Sequence, residues 1–134
     1  MVATTLKNQA MNAETRLASK VITATRDMTA ATGNVAYTGV GFTPTSIIAF
    51  ATIDGTVYPI SWGFSDSALT EKSLARNNDT FWYGSLNALV YAVQAAGANQ
   101  TCVVASYDTD GFTLTWTKAN SPTGTLNIIF LCFR

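Results

Sequence analysis

The sequence predicts an all-β protein: an antiparallel β-sandwich, jelly-roll-like, with a mostly irregular or short-helical N-terminal arm. Three observations predict it. Short apolar runs recur at intervals of about ten residues, separated by Gly, Pro, Asn and Asp clusters. The clearest runs alternate with period two. No segment pairs a strand with a long helical pattern, which argues against an α/β fold. The 134 residues suit one domain with a single core. We divide the chain into residues 1–30, an arm plus first strand, and residues 31–134, the sandwich body.

The arm is polar and Ala-rich, with Asn8, Gln9, Asn12 and Glu14. Its few large apolar residues, among them Leu6, Met11 and Leu17, are too sparse to fold alone. They are candidates for docking on the body or on a neighbouring subunit. Val21, Thr23 and Thr25 then alternate with Ile22, Ala24 and Arg26 as a first strand. A turn over Ala30–Asn34 leads into a short strand, Val35–Thr38. Gly39–Pro44 is an irregular bend whose glycines permit positive φ.

Ser46–Ile53 is almost continuously apolar and is the best candidate for a central strand buried on both faces. Asp54-Gly55 signals a two-residue type I′ hairpin. In the following run, Val57–Ser65, Pro59 moves the start of the strand toward a sheet edge. Asp66–Thr80 is the most polar stretch and reads equally as a loop or as a short helix over Ala68–Ala75. Phe81–Gly84, Leu89–Gln94 and Cys102–Tyr107 are further strands, with a turn over Ala95–Gln100. Near the C-terminus, Thr113, Thr115 and Thr117 alternate with Phe112, Leu114, Trp116 and Lys118. Ser121–Gly124 turns the chain into a last strand that runs to the final residues, as expected of a compact β module.

Composition excludes several function classes. Eight basic and eight acidic residues give zero net charge, and only 12% of residues are charged. Without a basic cluster there is little to displace counterions from a nucleic acid, so no nucleic-acid partner is expected. No apolar run approaches a membrane span. Met1–Lys7 lacks the basic and apolar regions of a secretory leader. So few charges suit a subunit of an assembly better than a free monomer. Cys102 and Cys132 read as buried free thiols, with a disulfide between neighbouring strands as the alternative.

Histidine is absent, which removes the usual general base, the Ser-His-Asp and Cys-His arrangements and most transition-metal sites. Most of the eight acids fall in apparent turns, where Asp bonds local backbone. Asp108-Thr-Asp-Gly111 resembles half of a calcium loop but lacks the later ligands. No enzyme activity, cofactor or metal is therefore expected. Aromatic residues could either stack on sugar rings or fill the core. Tyr58, Trp82 and Tyr83 flank the polar 66–80 stretch and are the candidates for glycan contact.

Val35–Phe50, Ser61–Phe64, Ser106–Lys118 and Ser121–Thr125 together resemble a β-rich module of structural proteins in tailed bacteriophages. The likeness spans roughly residues 33–134. Gly41-Phe-x-Pro-x-x-Ile47 and Asp110-Gly-Phe-Thr-Leu-x-Trp116 also resemble H-type lectins, without placing any sugar-binding position. The phage resemblance implies a jelly-roll-like sandwich, a homotrimer and assembly in the host cytoplasm into the virion. A short module with a polar arm fits a capsid decoration or cement protein. Such a protein would bind the major capsid protein on the outer shell and stabilise the head. The alternative is a receptor-binding tip or small tail-fibre module that recognises host surface glycan.

Overall fold

The computed structural model describes residues 17–55, 59–77, 82–95 and 97–134, with residues 82, 83 and 85 described by backbone alone. Among these residues the regular elements are all strands: β1 (Ser19–Asp27), β2 (Gly33–Thr38), β3 (Ser46–Ile53), β4 (Ile60–Asp66), β5 (Glu71–Arg76), β6 (Trp82–Leu86), β7 (Val90–Ala95), β8 (Ala98–Asp108), β9 (Gly111–Ala119) and β10 (Thr125–Phe133). They form two antiparallel sheets, one of six strands in the order β1-β10-β3-β4-β5-β6 and one of four in the order β2-β9-β8-β7. The all-β sandwich is as expected.

At one end the winding is that of a jelly roll. β1 and β2 lie in opposite sheets, and each pairs with one of the last two strands, β10 and β9 respectively. Elsewhere the chain runs as two meanders, β3 to β6 in the larger sheet and β7 to β9 in the smaller. β1 is therefore a full strand of the larger sheet, although the sequence division groups it with the arm.

The period-two pattern explains which side chains meet. Ile47, Ala49, Ala51 and Ile53 of β3, with Leu126, Ile128, Phe130 and Cys132 of β10, point inward. Phe112, Leu114 and Trp116 of β9 and Cys102 and Val104 of β8 face them from the smaller sheet. Tyr37, Phe112 and Phe130 form a ring cluster between the sheets, with centroids 5.0–5.4 Å apart. These offset and edge-on contacts add to the burial energy of the rings.

The inner faces of β4 and β5 differ, because they present only Ser61, Gly63, Ser65, Ser73 and Ala75. Small side chains there let the start of β7 come down onto the sheet. A Cβ at Gly63 would lie 2.0 Å from the Leu89 carbonyl oxygen. Ser61 accepts a hydrogen bond from the Tyr91 amide at 2.9 Å, which satisfies a donor on this edge strand.

Three local expectations change. Residues 71–76 are a strand, not a loop or helix, because Ser73 and Ala75 fit under β7 and the ladder to β4 supplies the backbone partners. The β3–β4 connection is not a two-residue hairpin, since pairing ends at Thr52↔Ile60. Pro59 sits just ahead of β4, which is a central strand, so it removes no ladder bond. The positive φ expected in the Gly39–Pro44 bend is present at Gly39 (88°) and Gly41 (86°).

Candidate functional site

The outward side chains of the larger sheet are unusual. Register places Val21, Leu131, Ile48, Phe64 and Lys72 in one row across five strands. The next row is Thr23, Ile129, Phe50, Trp62 and Leu74, and the third is Thr25, Asn127, Thr52, Ile60 and Arg76. An outward face is usually polar along every strand. Here most positions in the first two rows are large and apolar, and several are substantially exposed, with Trp62 at 56% and Phe64 at 52%.

The face has relief. The Phe50 and Trp62 rings stack at 5.4 Å with 29° between their planes. Beside them runs a trough of about 720 Å³, lined by Thr23, Thr25, Thr52, Ile60, Asn127 and Ile129. A second hollow of about 450 Å³ lies beyond Trp62, against Phe64, Lys72 and Leu74. Trp62 therefore stands as a ridge between two depressions. Within the three rows the charges are Lys72 and Arg76, both on β5, while Asp27 of β1 and Asp66 of β4 face outward beyond the rows. Lys72 donates from Nζ to Asn87 Oδ1.

Sequence reasoning did not single out this face, although one signal was present. Ile60, Trp62 and Phe64 alternate with Ser61, Gly63 and Ser65. The usual rule buries the large set, but the close approach of β7 forces the small set inside and turns the large set out. Of the residues chosen for glycan contact, register sets the Trp82 backbone beside Arg76 of the third row. Tyr58 lies outside the described residues, and Trp82 and Tyr83 are placed only as backbone positions of β6. Of the arm positions, Leu6 and Met11 also lie outside the described residues. Leu17 is described, 76% exposed, just before β1.

Two polar clusters sit elsewhere and are structural. Arg26 Nε donates to Gln100 Oε1 at 2.6 Å, and Nη2 donates to the Ala31 carbonyl at 2.9 Å. The guanidinium lies 4.5 Å over the Trp116 ring, and removal from water lowers its pKa. Gln100 donates to the carbonyls of Met28 and Ala30. The cluster ties β1 to β8 and β9 across the sandwich. In the second, Glu71 accepts from the Val104 amide at 3.0 Å and from the Ser65 hydroxyl at 3.4 Å. That amide belongs to the irregular part of β8, between Val104 and Ser106, where register shifts. The nearby Tyr107 hydroxyl is buried without a hydrogen bond of normal geometry, and burial pushes its pKa up to about 12.

The half calcium loop resolves into turn chemistry. Asp110 accepts from the amides of Gly39 and Gly41 at 3.1 and 2.6 Å, and Asp108 accepts from Ser106 and Thr113. Among the described residues no group of three or more His, Cys, Asp or Glu converges on a metal-sized site. Cys102 and Cys132 are free and buried on opposite sheets. Burial raises both thiols, Cys132 to about 11 and Cys102 further.

No protein-family model matches the chain, and no curated protein matches it. Among solved structures, it is similar to SCP-B, a member of the eqolisin family of peptidases in complex with the tripeptide Ala-Ile-His. The identity is 9% and the TM-score 0.27, over 86% of this chain and 64% of that one. It is also similar to scytalido-glutamic peptidase with a peptide-based transition-state analogue, at 11% identity and TM-score 0.26, over 84% and 58%. The chain thus spans about six-tenths of the length of these peptidases. At such values neither family nor activity transfers.

Proposed function

We propose that this chain is a non-catalytic structural protein of a bacteriophage virion, a capsid decoration or cement protein that binds the outer capsid surface and stabilises the head. The observation that carries the reading is the outer face of the six-stranded sheet, broad and apolar across its two central rows, which hold Lys72 as their single charge. Such a face is costly on a free monomer and belongs in an assembly. The phage-module resemblance over residues 33–134, the zero net charge and the lack of histidine support the same reading. The partner is the major capsid protein, the decorating unit is a homotrimer, and the site of action is the virion. Leu17, at the exposed approach to β1, marks where the arm would reach the shell or a neighbour.

Cosedimentation of the purified chain with phage heads lacking it tests this. Saturable binding that raises the melting temperature of the heads is expected. Heads that neither bind the chain nor gain stability would end the proposal. A second reading has its own support, because the exposed Phe50–Trp62 pair beside threonines and Asn127 could hold a sugar ring of host glycan. Saturable quenching of Trp62 fluorescence on a glycan panel would favour that receptor-binding reading.

A further inference from the structure

We propose that the outer face of the six-stranded sheet is the surface through which copies of this chain associate, with Phe50 and Trp62 at its centre. The inference rests on the assembly reading above and names the partner at this face as a second copy of the chain.

The first support is the make-up of the central strands. β10 and β3 carry large apolar residues on both faces, as Ile128, Phe130, Ile129 and Leu131 do on β10. A strand apolar on both faces belongs between two layers. The four-stranded sheet covers the inner face, while the outer face has no cover within the described residues. Size is the second support. The exposed parts of Val21, Phe50, Ile60, Trp62, Phe64, Leu74 and Ile129 sum to on the order of 700 Å². That approaches the ~800 Å² each partner contributes to a standard interface.

Shape and charge then favour a like partner over an unlike one. A closed ring of like copies needs a projection on one copy that fits a depression on the next. Trp62 supplies the ridge, and the trough over Thr25, Thr52 and Ile129 supplies the depression. The two central rows hold Lys72 as their single charge, and the chain has no net charge, so like copies meet without repulsion. A partner chosen by charge would find little here to recognise.

The test is light scattering on the full chain across a concentration series, with Trp62→Glu, Ile129→Glu and the opposite-sheet control Thr117→Glu. The wild type is expected to be a defined oligomer at micromolar concentration. Trp62→Glu should weaken association by roughly 30-fold or more, the scale of a central aromatic anchor. The strand signature in circular dichroism should persist, and Thr117→Glu should associate like the wild type. If Trp62→Glu does not fold, the rim variant Leu74→Lys takes its place with the same expectation. A monomeric wild type, or an oligomer indifferent to Trp62→Glu, Ile129→Glu and Leu74→Lys alike, overturns the inference. A monomer that still binds phage heads through Trp62 overturns it while leaving the decoration reading intact. An oligomer that depends on Trp62 yet never binds heads supports the inference and removes that reading.

Discussion

Arg26 and Gln100 show how one polar pair can be accommodated in an apolar sandwich. Each donor of Gln100 has a carbonyl, its oxygen has a guanidinium, and the guanidinium has a carbonyl and a ring face. Gln100→Leu would leave Arg26 and two carbonyls short of partners, at a cost of about 2–3 kcal/mol by urea unfolding. The thiols behave oppositely, since they are inert through burial. Cys102 and Cys132 should stay unlabelled by a thiol reagent until the chain unfolds. Their raised pKa values, with those of Tyr37 and Tyr107, also set an alkaline limit. The unfolded state loses these protons first, so the stability held below pH about 9 is lost progressively as pH rises toward 12. A melting temperature that held level over that window would contradict this.

At the scale of the element, legibility depended on a clear apolar pattern. β1 and β9 alternate, β3 and β10 stand out as apolar runs, and the positions of all four were readable in the sequence. β5 was not, because Glu71-Lys-Ser-Leu-Ala-Arg76 has helix-forming residues and its ladders with β4 and β6 make it a strand. The candidate face was missed for a related reason. Nothing local says that Gly63 must admit the Leu89 carbonyl, a contact between residues 26 apart in sequence (89 − 63). That contact fixes which face of β4 turns inward. Gly63→Ala is expected to cost about 3 kcal/mol, the upper end for overpacking. Gly84→Ala, whose new Cβ would meet only Leu74 Cδ2 at 3.6 Å, should change stability by less than about 0.5 kcal/mol. Paired chemical unfolding curves decide both.

For the whole molecule, the two described tryptophan side chains report on different things. Trp116 is fully buried and Trp62 is exposed on the outer face. The emission lost in Trp62→Phe therefore isolates the face. Its quenching by acrylamide should increase as the wild type is diluted, if copies cover one another there. A quenching constant independent of concentration would argue against any such cover. The winding has a separate effect on biosynthesis. Among the described strands β1 has a single neighbour, β10, and 97 residues separate Asp27 from Thr125 (125 − 27 − 1). A ribosome adds them in roughly 5–20 s. Until β10 has been made the first strand has no ladder to join, so the larger sheet is completed only after every strand of the smaller one has been synthesised. The nascent chain therefore presents an unpaired edge for many seconds, long enough for a chaperone to bind or for two chains on one polysome to exchange strands.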